Sequence, residues 1–256
     1  MVLTSRAPSK LLWAAEVPRA AWMVATWWRH RATMAAVPRG DGRAIMLLPG
    51  LFNGDRSNIV LRRYLTRLGY RAQGWGLGRN LGIRTVGTDA DRLIARVAVL
   101  AAEAGPVTLI GVSLGGIMAR LVAHRRPDLV RAVITVASPY AGPGQATNVW
   151  RLFEWITGER LDDPAVTARS TAIAQPLPVP ATAIWSRSDG LVAGTICRDD
   201  ACRSVEVRSG HLGVQLKPEV LVAVARALSE DVGSPGDAEA RREEAGILSR
   251  QRLSSK

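Results

Sequence analysis

The sequence has few of the residues that bind structural metals or form disulfides. Its 256 residues include two cysteines, Cys197 and Cys202, and three histidines. Two cysteines alone do not complete a zinc site, so we predict no metal. The cysteines lie in one loop-like stretch and could form a small disulfide in an oxidising compartment, but two reduced thiols in the cytoplasm are favoured.

A long uncharged apolar run is also absent from the sequence. The most apolar stretch, residues 11–28, is interrupted by Glu16, Pro18 and Arg19, and its longest uncharged part is far too short to span a bilayer. The stretch runs into tryptophan and arginine instead of a small-residue cleavage site. We therefore predict neither a transmembrane helix nor a cleaved signal peptide here.

Acidic residues are outnumbered by basic ones. The 22 Asp and Glu against 34 Lys and Arg give a formal net charge of +12, which favours contact with anionic partners. The basic residues are dispersed, however, and no zinc finger, ribonucleoprotein motif or basic zipper accompanies them, so we predict no nucleic-acid partner. Hydrophobic residues at 47% and charged residues at 22% are ordinary values for a folded domain.

Apolar runs of strand length alternate with helix-length segments between residues 41 and 232. This pattern predicts an α/β domain with a mostly parallel central sheet flanked by helices. About forty residues separate two of the predicted strands, more than a crossover needs, so we expect a small helical cap over about 140–180. Residues 1–40 are expected to form a tryptophan-rich helical segment, and residues 233–256 a flexible tail.

The segment LIGVSLGGIMAR (109–120) places Ser113 between a predicted strand and a predicted helix. Its G-x-S-x-G pattern is typical of a turn so tight that the serine adopts strained backbone angles, and larger residues at Gly111 and Gly115 would collide. Such a turn presents the serine hydroxyl at the carboxyl edge of the sheet, beside the positive end of a helix dipole. We predict that Ser113 is a nucleophile.

A second glycine-rich segment, GWGLGRNLG (74–82), follows another predicted strand. It departs from the dinucleotide-binding pattern because Leu81 stands where the third glycine is required. We predict a tight loop beside the mouth of the active site, with no cofactor role.

Five segments, LLPGLFNGD, LIGVSLGG, SPYAG, SRSDGLV and SGHLG, together resemble the serine esterases and lipases of the α/β-hydrolase fold, over roughly residues 42–228. The chain is most similar to bacterial lipase-like members of that fold. The resemblance implies hydrolysis of a carboxylic ester through an acyl-enzyme, without a metal or an organic cofactor. Pro49 and Tyr140 stand where many lipases have histidine, which weakens the case for triacylglycerol as the substrate.

A serine nucleophile needs a histidine base, and that histidine needs an acid to orient it. The chain order of the α/β-hydrolases, serine then acid then histidine, assigns the base to His211 and the acid to Asp189. His30 lies in the tryptophan-rich segment, and His124 is expected to be solvated on the helix after Ser113. The other aspartates considered for the acid are expected to be solvated loop residues: Asp162, Asp163, Asp199 and Asp200.

Hydrolysis also needs backbone N–H groups that bind the oxyanion. The family pattern assigns one to Leu114, directly after the nucleophile, and the other to the loop after the LLPG strand, where Leu51 is the first choice and Phe52 the second. Aromatic residues near the cap are candidates for the substrate pocket, although their helical spacing also fits ordinary packing. The candidates are Phe52, Tyr140, Trp150, Phe153 and Trp155.

The amino-terminal segment combines tryptophans with positive charge. Residues 1–40 contain four of the eight tryptophans and six basic residues against one acidic residue. Tryptophan beside arginine suits a membrane interface, so peripheral membrane contact through residues 11–31 is one hypothesis, and packing of these tryptophans on the core is the other. We expect a cytoplasmic protein, with membrane association as the open alternative.

These inferences converge on a serine hydrolase that cleaves small-molecule or lipid esters with an apolar acyl part. An acyltransferase or a thioesterase with the same three residues remains an alternative, because an acyl-enzyme does not reveal which acceptor resolves it. A membrane-associated binding protein that keeps the fold without turnover is a further alternative.

Overall fold

The computed structural model describes residues 7–16, 27–142, 147–148 and 150–230. All of the predicted tail, 233–256, lies outside these ranges, as does Trp22 in the predicted membrane-contact segment. The side chains of Trp150 and Phe153 also lie outside what the structure describes.

Six parallel strands form the central sheet, in the spatial order β2-β1-β3-β4-β5-β6. The strands are β1 (Ala44–Leu48), β2 (Arg71–Gly74), β3 (Val107–Val112), β4 (Val130–Val136), β5 (Ala181–Trp185) and β6 (Arg203–Glu206). Every residue of β1 and β3 is buried, as expected for strands covered on both faces. The predicted α/β class with a mostly parallel sheet is confirmed.

The described helices of the chain lie on both faces of this sheet and at its carboxyl edge. They are α1 (Lys10–Ala14), α2 (Arg31–Ala35), α3 (Ile59–Leu68), α4 (Ile83–Val86), α5 (Asp91–Ala104), α6 (Leu114–Arg125), α7 (Trp150–Thr157), α8 (Pro164–Ala174) and α9 (Pro218–Glu230). Within the described ranges, no helix combines the length and the apolar character needed to cross a bilayer.

The alternation of side chains along each strand divides the core into two layers. In β1, Ile45 and Leu47 join the core formed with helices α3 and α9, whereas Met46 and Leu48 join the core formed with α5 and α6. Successive side chains of a strand point to opposite faces, so one apolar run supplies both layers.

The segment between β4 and β5 contributes helices α7 and α8 above the carboxyl edge of the sheet. Helix α8 starts at Pro164, where the Asp163 carboxylate caps it by accepting a hydrogen bond of 2.8 Å from the Ala165 N–H. The helical insertion expected from the long spacing between strands is confirmed by these two helices.

Part of the amino-terminal segment packs on the domain. Trp27 and Met34 contact the core layer that contains α3 and α9, and the Tyr64 hydroxyl donates a hydrogen bond of 3.0 Å to the Met34 carbonyl. Leu11 and Trp13 instead are 84% and 55% exposed. The segment therefore has both a packed part and an exposed apolar part.

Candidate active site

Ser113 lies between the end of β3 and the start of α6, in a strained conformation. Its φ of 51° and ψ of −120° are unfavourable for a residue with a side chain, and such strain is characteristic of functional turns. A Cβ atom at Gly111 would overlap the Gly115 backbone, and one at Gly116 would overlap the Ser138 side chain. The glycines around the serine are therefore required by the closeness of strand and helix.

The loops after β5 and β6 bring an acid and a base to the same edge. The distance from His211 Nε2 to Ser113 Oγ is 3.1 Å, and that from His211 Nδ1 to Asp189 Oδ2 is 2.7 Å. Asp189 is 3% exposed, and its other oxygen accepts hydrogen bonds from the backbone N–H groups of Leu191 at 2.9 Å and Val192 at 2.8 Å. Three residues far apart in sequence thus form one hydrogen-bonded relay.

The electrostatic surroundings of His211 favour its protonated form. Burial alone would lower the pKa of the imidazole, but the negative charge and hydrogen bond of Asp189, together with the negative charge of Glu16, raise the pKa above its ordinary value. A base with this environment can accept the proton of a serine hydroxyl and hold it while the reaction proceeds.

Backbone N–H groups of two elements lie beside the serine. Leu114 is the first residue of α6, where helical N–H groups have no acceptor within the helix. Leu51 follows Pro49-Gly50 at the end of β1, and a Cβ at Gly50 would lie 3.4 Å from the Ser113 Cβ. The Phe52 N–H donates a hydrogen bond of 2.7 Å to the Asn80 carbonyl. Because the Phe52 N–H already has this acceptor, Leu51 is favoured over Phe52 as the second N–H donor to an oxyanion.

Asn80 fixes the loop that contains Leu51. The residue is fully buried, and its side-chain amide donates a hydrogen bond of 2.7 Å to the Pro49 carbonyl and accepts one of 3.1 Å from the Gly82 N–H. Its backbone N–H donates to the Asn53 carbonyl at 2.8 Å. The glycine-rich segment 74–82 therefore braces the loop after β1, in agreement with its predicted place beside the mouth of the site.

A cavity of about 160 Å³ opens from Ser113 towards the cap. Its wall is largely apolar, with a polar part formed by the ion pair between Glu159 and Arg169. Burial lowers the pKa of Arg169. The apolar side chains of the wall include Ile83, Val86, Ile117, Met118, Leu121, Val166 and Ile173.

The predicted pocket residues occupy different positions. Tyr140 lines the cavity and is 4% exposed. Its ring lies under the Arg120 guanidinium at 3.8 Å, and its hydroxyl is 3.2 Å from Cys202 Sγ. Phe52 and Trp155 are 52% and 77% exposed and are not part of the cavity wall.

The other acid candidates have different partners. Asp162 forms an ion pair of 2.8 Å with Arg160, Asp163 caps α8, and Asp199 lies 3.6 Å from the buried Arg120 guanidinium. The structure places none of these three described residues against His211. Both cysteines are free thiols, Cys197 buried and Cys202 half-buried, and burial raises the pKa of the Cys197 thiol.

The two remaining histidines lie elsewhere. His30 is 3.3 Å from Glu219, in the first turn of α9. His124 differs from the solvated side chain that we expected, because it is part-buried against α8 with its Nε2 at 3.4 Å from the Ile173 carbonyl. Burial lowers the pKa of His124.

Three residues around the site carry no recognisable sequence motif. Asn80 braces the loop of Leu51, Arg120 joins α6 to the end of α8, and Glu16 lies behind His211. The only signal was that Glu16 is a single acid in an apolar, basic stretch. These side chains form hydrogen bonds to backbone groups, and a backbone partner can be any residue type, so the sequence around it carries no signal.

Comparison with known proteins gives the same fold. A family profile described as the alpha/beta hydrolase fold matches residues 84–177. No curated protein matches the sequence. Among solved structures, one from work on the metagenome-derived lipolytic enzymes LipS and LipT has a TM-score of 0.56 at 15% identity, covering 76% of this chain and 95% of its own.

Two further solved structures are similar to this chain to about the same degree. The pyrethroid hydrolase PytH has a TM-score of 0.51 at 17% identity, covering 73% of this chain and 97% of its own. A structure described as a putative aryl esterase from Burkholderia cenocepacia has a TM-score of 0.51 at 14% identity, covering 77% of this chain and 94% of its own. At these identities the similarity concerns the fold alone.

Proposed function

From the premise that this chain has the α/β-hydrolase fold, we propose that it is a serine hydrolase that cleaves carboxylic esters through an acyl-enzyme. The observation that carries the proposal is the relay from Ser113 through His211 to Asp189, with distances of 3.1 and 2.7 Å. The relay lies at the carboxyl edge of the sheet, where this fold presents its nucleophile.

The first half of the proposed reaction forms the acyl-enzyme. His211 Nε2 takes the proton of the Ser113 hydroxyl as its oxygen attacks the ester carbonyl, and Asp189 orients the imidazole and stabilises the imidazolium. The N–H groups of Leu51 and Leu114 bind the oxyanion. The imidazolium then protonates the leaving alcohol, and the acyl group remains on Ser113.

Water completes the proposed reaction. His211 takes a proton from a water molecule that attacks the acyl carbonyl. As the tetrahedral intermediate collapses, the imidazolium returns this proton to the Ser113 oxygen, which releases the carboxylic acid and restores the serine hydroxyl. An alcohol or amine in place of water would give acyl transfer, so the product formed in the presence of added acceptors distinguishes the two outcomes.

The cavity next to Ser113 supports an ester whose acyl part is apolar. Its wall is formed largely by aliphatic side chains of α4, α6 and α8, which favour the burial of a hydrocarbon group. Tyr140 contributes the face of its ring to the same wall. The similar esterase and lipolytic structures support this class of substrate only through their fold.

Hydrolysis of p-nitrophenyl esters of graded chain length tests the proposal. We expect turnover by the full chain and a loss of at least about 10⁴-fold in kcat/KM for Ser113→Ala. Ser229→Ala is the matched control, because that hydroxyl donates only to the Arg226 carbonyl of its own helix. Turnover that persists in Ser113→Ala would show that another group performs the reaction.

A further inference from the structure

A carboxylate from the amino-terminal segment lies behind the acid and base loops. Glu16 is 2% exposed and is the only acidic residue among residues 1–40. A buried carboxylate is costly unless its oxygens accept hydrogen bonds. The partners of Glu16 therefore indicate what it stabilises.

Each oxygen of Glu16 accepts a hydrogen bond from one of the two loops. Oε1 accepts from the Gly190 N–H at 2.7 Å, and Oε2 accepts from the Leu212 N–H at 2.9 Å. Gly190 directly follows Asp189, and Leu212 directly follows His211. One side chain thus joins the loop after β5 to the loop after β6, next to Asp189 and His211, which must keep their relative positions.

The segment before Glu16 is seated on the same loops. A Cβ at Gly190 would overlap the backbone of Leu12 and Trp13, so close approach of α1 requires glycine there. The Asn148 side chain donates to the Pro8 carbonyl at 3.0 Å and to the Gly190 carbonyl at 2.7 Å. Residues 7–16 consequently form a clasp on the loop that carries Asp189.

We propose that Glu16 is a positioning residue for the hydrolysis proposed above, holding Asp189 and His211 in register and stabilising the imidazolium that forms on His211. This inference rests on the proposed function for its catalytic consequence. It adds that residues 7–16 are part of the active-site framework, although they precede the first strand of the sheet by many residues.

Electrostatics distinguish this role from simple structural support. Among the described residues, the charged groups acting on His211 are Asp189 and Glu16, and both raise its pKa against the effect of burial. We therefore expect removal of the Glu16 charge to lower the pKa of His211. A side chain that only supported the loops would change stability or kcat without moving this pKa.

The test compares Glu16→Gln and Glu16→Asp with the wild type and with Glu103→Gln, the same change at an exposed position on α5. The His211 imidazole is titrated by NMR, with its signal assigned from His211→Asn, and the pH profile of kcat/KM is measured with a p-nitrophenyl ester. Thermal unfolding of each variant shows whether it folds cooperatively.

For Glu16→Gln, we expect kcat on the pH plateau to fall about tenfold, which corresponds to about 1.4 kcal/mol. The acid limb of kcat/KM and the NMR titration of His211 should both move to lower pH. Glu103→Gln should match the wild type. An unchanged His211 titration in folded Glu16→Gln would overturn the inference, whatever the effect on kcat.

Glu16→Asp keeps the charge but is too short to reach both N–H groups. This variant should lose activity, while the acid limb of its kcat/KM profile stays near that of the wild type. If Glu16→Gln does not fold, Glu16→Asp provides the test instead. Wild-type kcat in Glu16→Asp would then overturn the positioning role. Because the NMR titration needs no turnover, a wild type without esterase activity would contradict the proposed function while leaving Glu16 testable.

Discussion

At the scale of single residues, the site depends on side chains whose conformations are fixed by the backbone around them. Ser113 has a positive φ, and Asp189 is held by two backbone N–H groups in addition to His211. The two backbone hydrogen bonds hold the Asp189 carboxylate against His211, and the tight turn fixes the position of the Ser113 backbone. In the proposed reaction, a site arranged in this way before substrate binds would lower the cost of reaching the transition state.

The pH dependence of the reaction follows from His211. The base must be neutral to accept the serine proton, and its pKa is raised by Asp189 and Glu16 in spite of burial. Activity should therefore be lost as the pH falls through this raised pKa, at a pH above the ordinary imidazole value of about 6.5. The pH profile of kcat/KM, which reports the pKa of the free enzyme, checks this prediction. Loss of activity at a pH below the ordinary imidazole pKa would contradict it.

Asn80 should affect kcat more than KM. Asn80→Ala removes the hydrogen bond to the Pro49 carbonyl and should loosen the loop that contains Leu51. In the proposed reaction, the Leu51 N–H binds the oxyanion only in the transition state. We expect kcat to fall about 10²-fold, the lower end of the cost of losing an oxyanion donor. Steady-state kinetics with one ester measure the effect.

Asn58→Ala provides the matched control for Asn80, because Asn58 is also a buried asparagine but its amide atoms make no hydrogen bond to the described residues. It should keep the wild-type kcat. Equal losses in the two variants would indicate general destabilisation instead of an effect on the oxyanion loop.

At the scale of secondary-structure elements, a buried arginine helps to attach the cap to the sheet domain. Arg120 on α6 is 1% exposed, and its guanidinium donates to the carbonyls of Ile173 at 2.8 Å and Gln175 at 2.7 Å. Both carbonyls lie at the end of α8. The residue therefore holds the helix that forms one wall of the cavity.

Arg120→Met should loosen this attachment. Two carbonyls and the Asp199 carboxylate would lose a buried cationic partner, and such a loss destabilises a protein by about 3 kcal/mol. Urea unfolding measures the change in free energy. Limited proteolysis should show new cleavage between residues 140 and 180, and its absence would contradict the role of Arg120 in holding the cap.

The surface pair of Arg126 with Asp128, at 2.6 Å, supplies the control for that experiment. Exposed ion pairs contribute little to stability. Arg126→Met should therefore unfold at nearly the same urea concentration as the wild type and keep the wild-type proteolysis pattern.

The fold was predictable from sequence because its signals are local. Apolar runs of strand length, helical periodicity and the glycines around Ser113 each reflect the backbone within a few residues. The candidates Asp189 and His211 followed from their order along the chain, and the structure places His211 against Ser113 and Asp189 against His211. The division into residues 1–40, 41–232 and 233–256 remains a prediction.

The supporting contacts were not predictable for a physical reason. Glu16 bonds to N–H groups 174 and 196 residues away, and Arg120 bonds to carbonyls 53 and 55 residues away. Every residue except proline offers the same backbone N–H. No feature of Gly190 or Leu212 in the sequence could therefore identify the carboxylate that each one meets.

At the scale of the whole molecule, the amino-terminal segment joins an active-site contact to an exposed apolar surface. Leu11 and Trp13 are 84% and 55% exposed and lie five and three residues before Glu16. The excess of basic residues in 1–40 and the net charge of +12 favour anionic surfaces. We propose that this segment contacts anionic membranes.

Flotation with vesicles tests the membrane contact. Leu11→Ser combined with Trp13→Ser should reduce binding to phosphatidylglycerol vesicles, and binding should weaken as salt is added because charge contributes. Val99→Ser is the matched control, since Val99 is an exposed apolar residue of α5, 53% exposed. Equal flotation of the double variant and the wild type would contradict the proposed contact.

The central claim, that Ser113 is a nucleophile activated by His211, is tested most directly by reaction with a fluorophosphonate followed by mass spectrometry of the labelled peptide. We expect one adduct, on Ser113, formed by the wild type and by Ser229→Ala, and labelling that is abolished in Ser113→Ala and strongly slowed in His211→Asn. An adduct on another residue, or a folded wild type that forms none, would contradict the account.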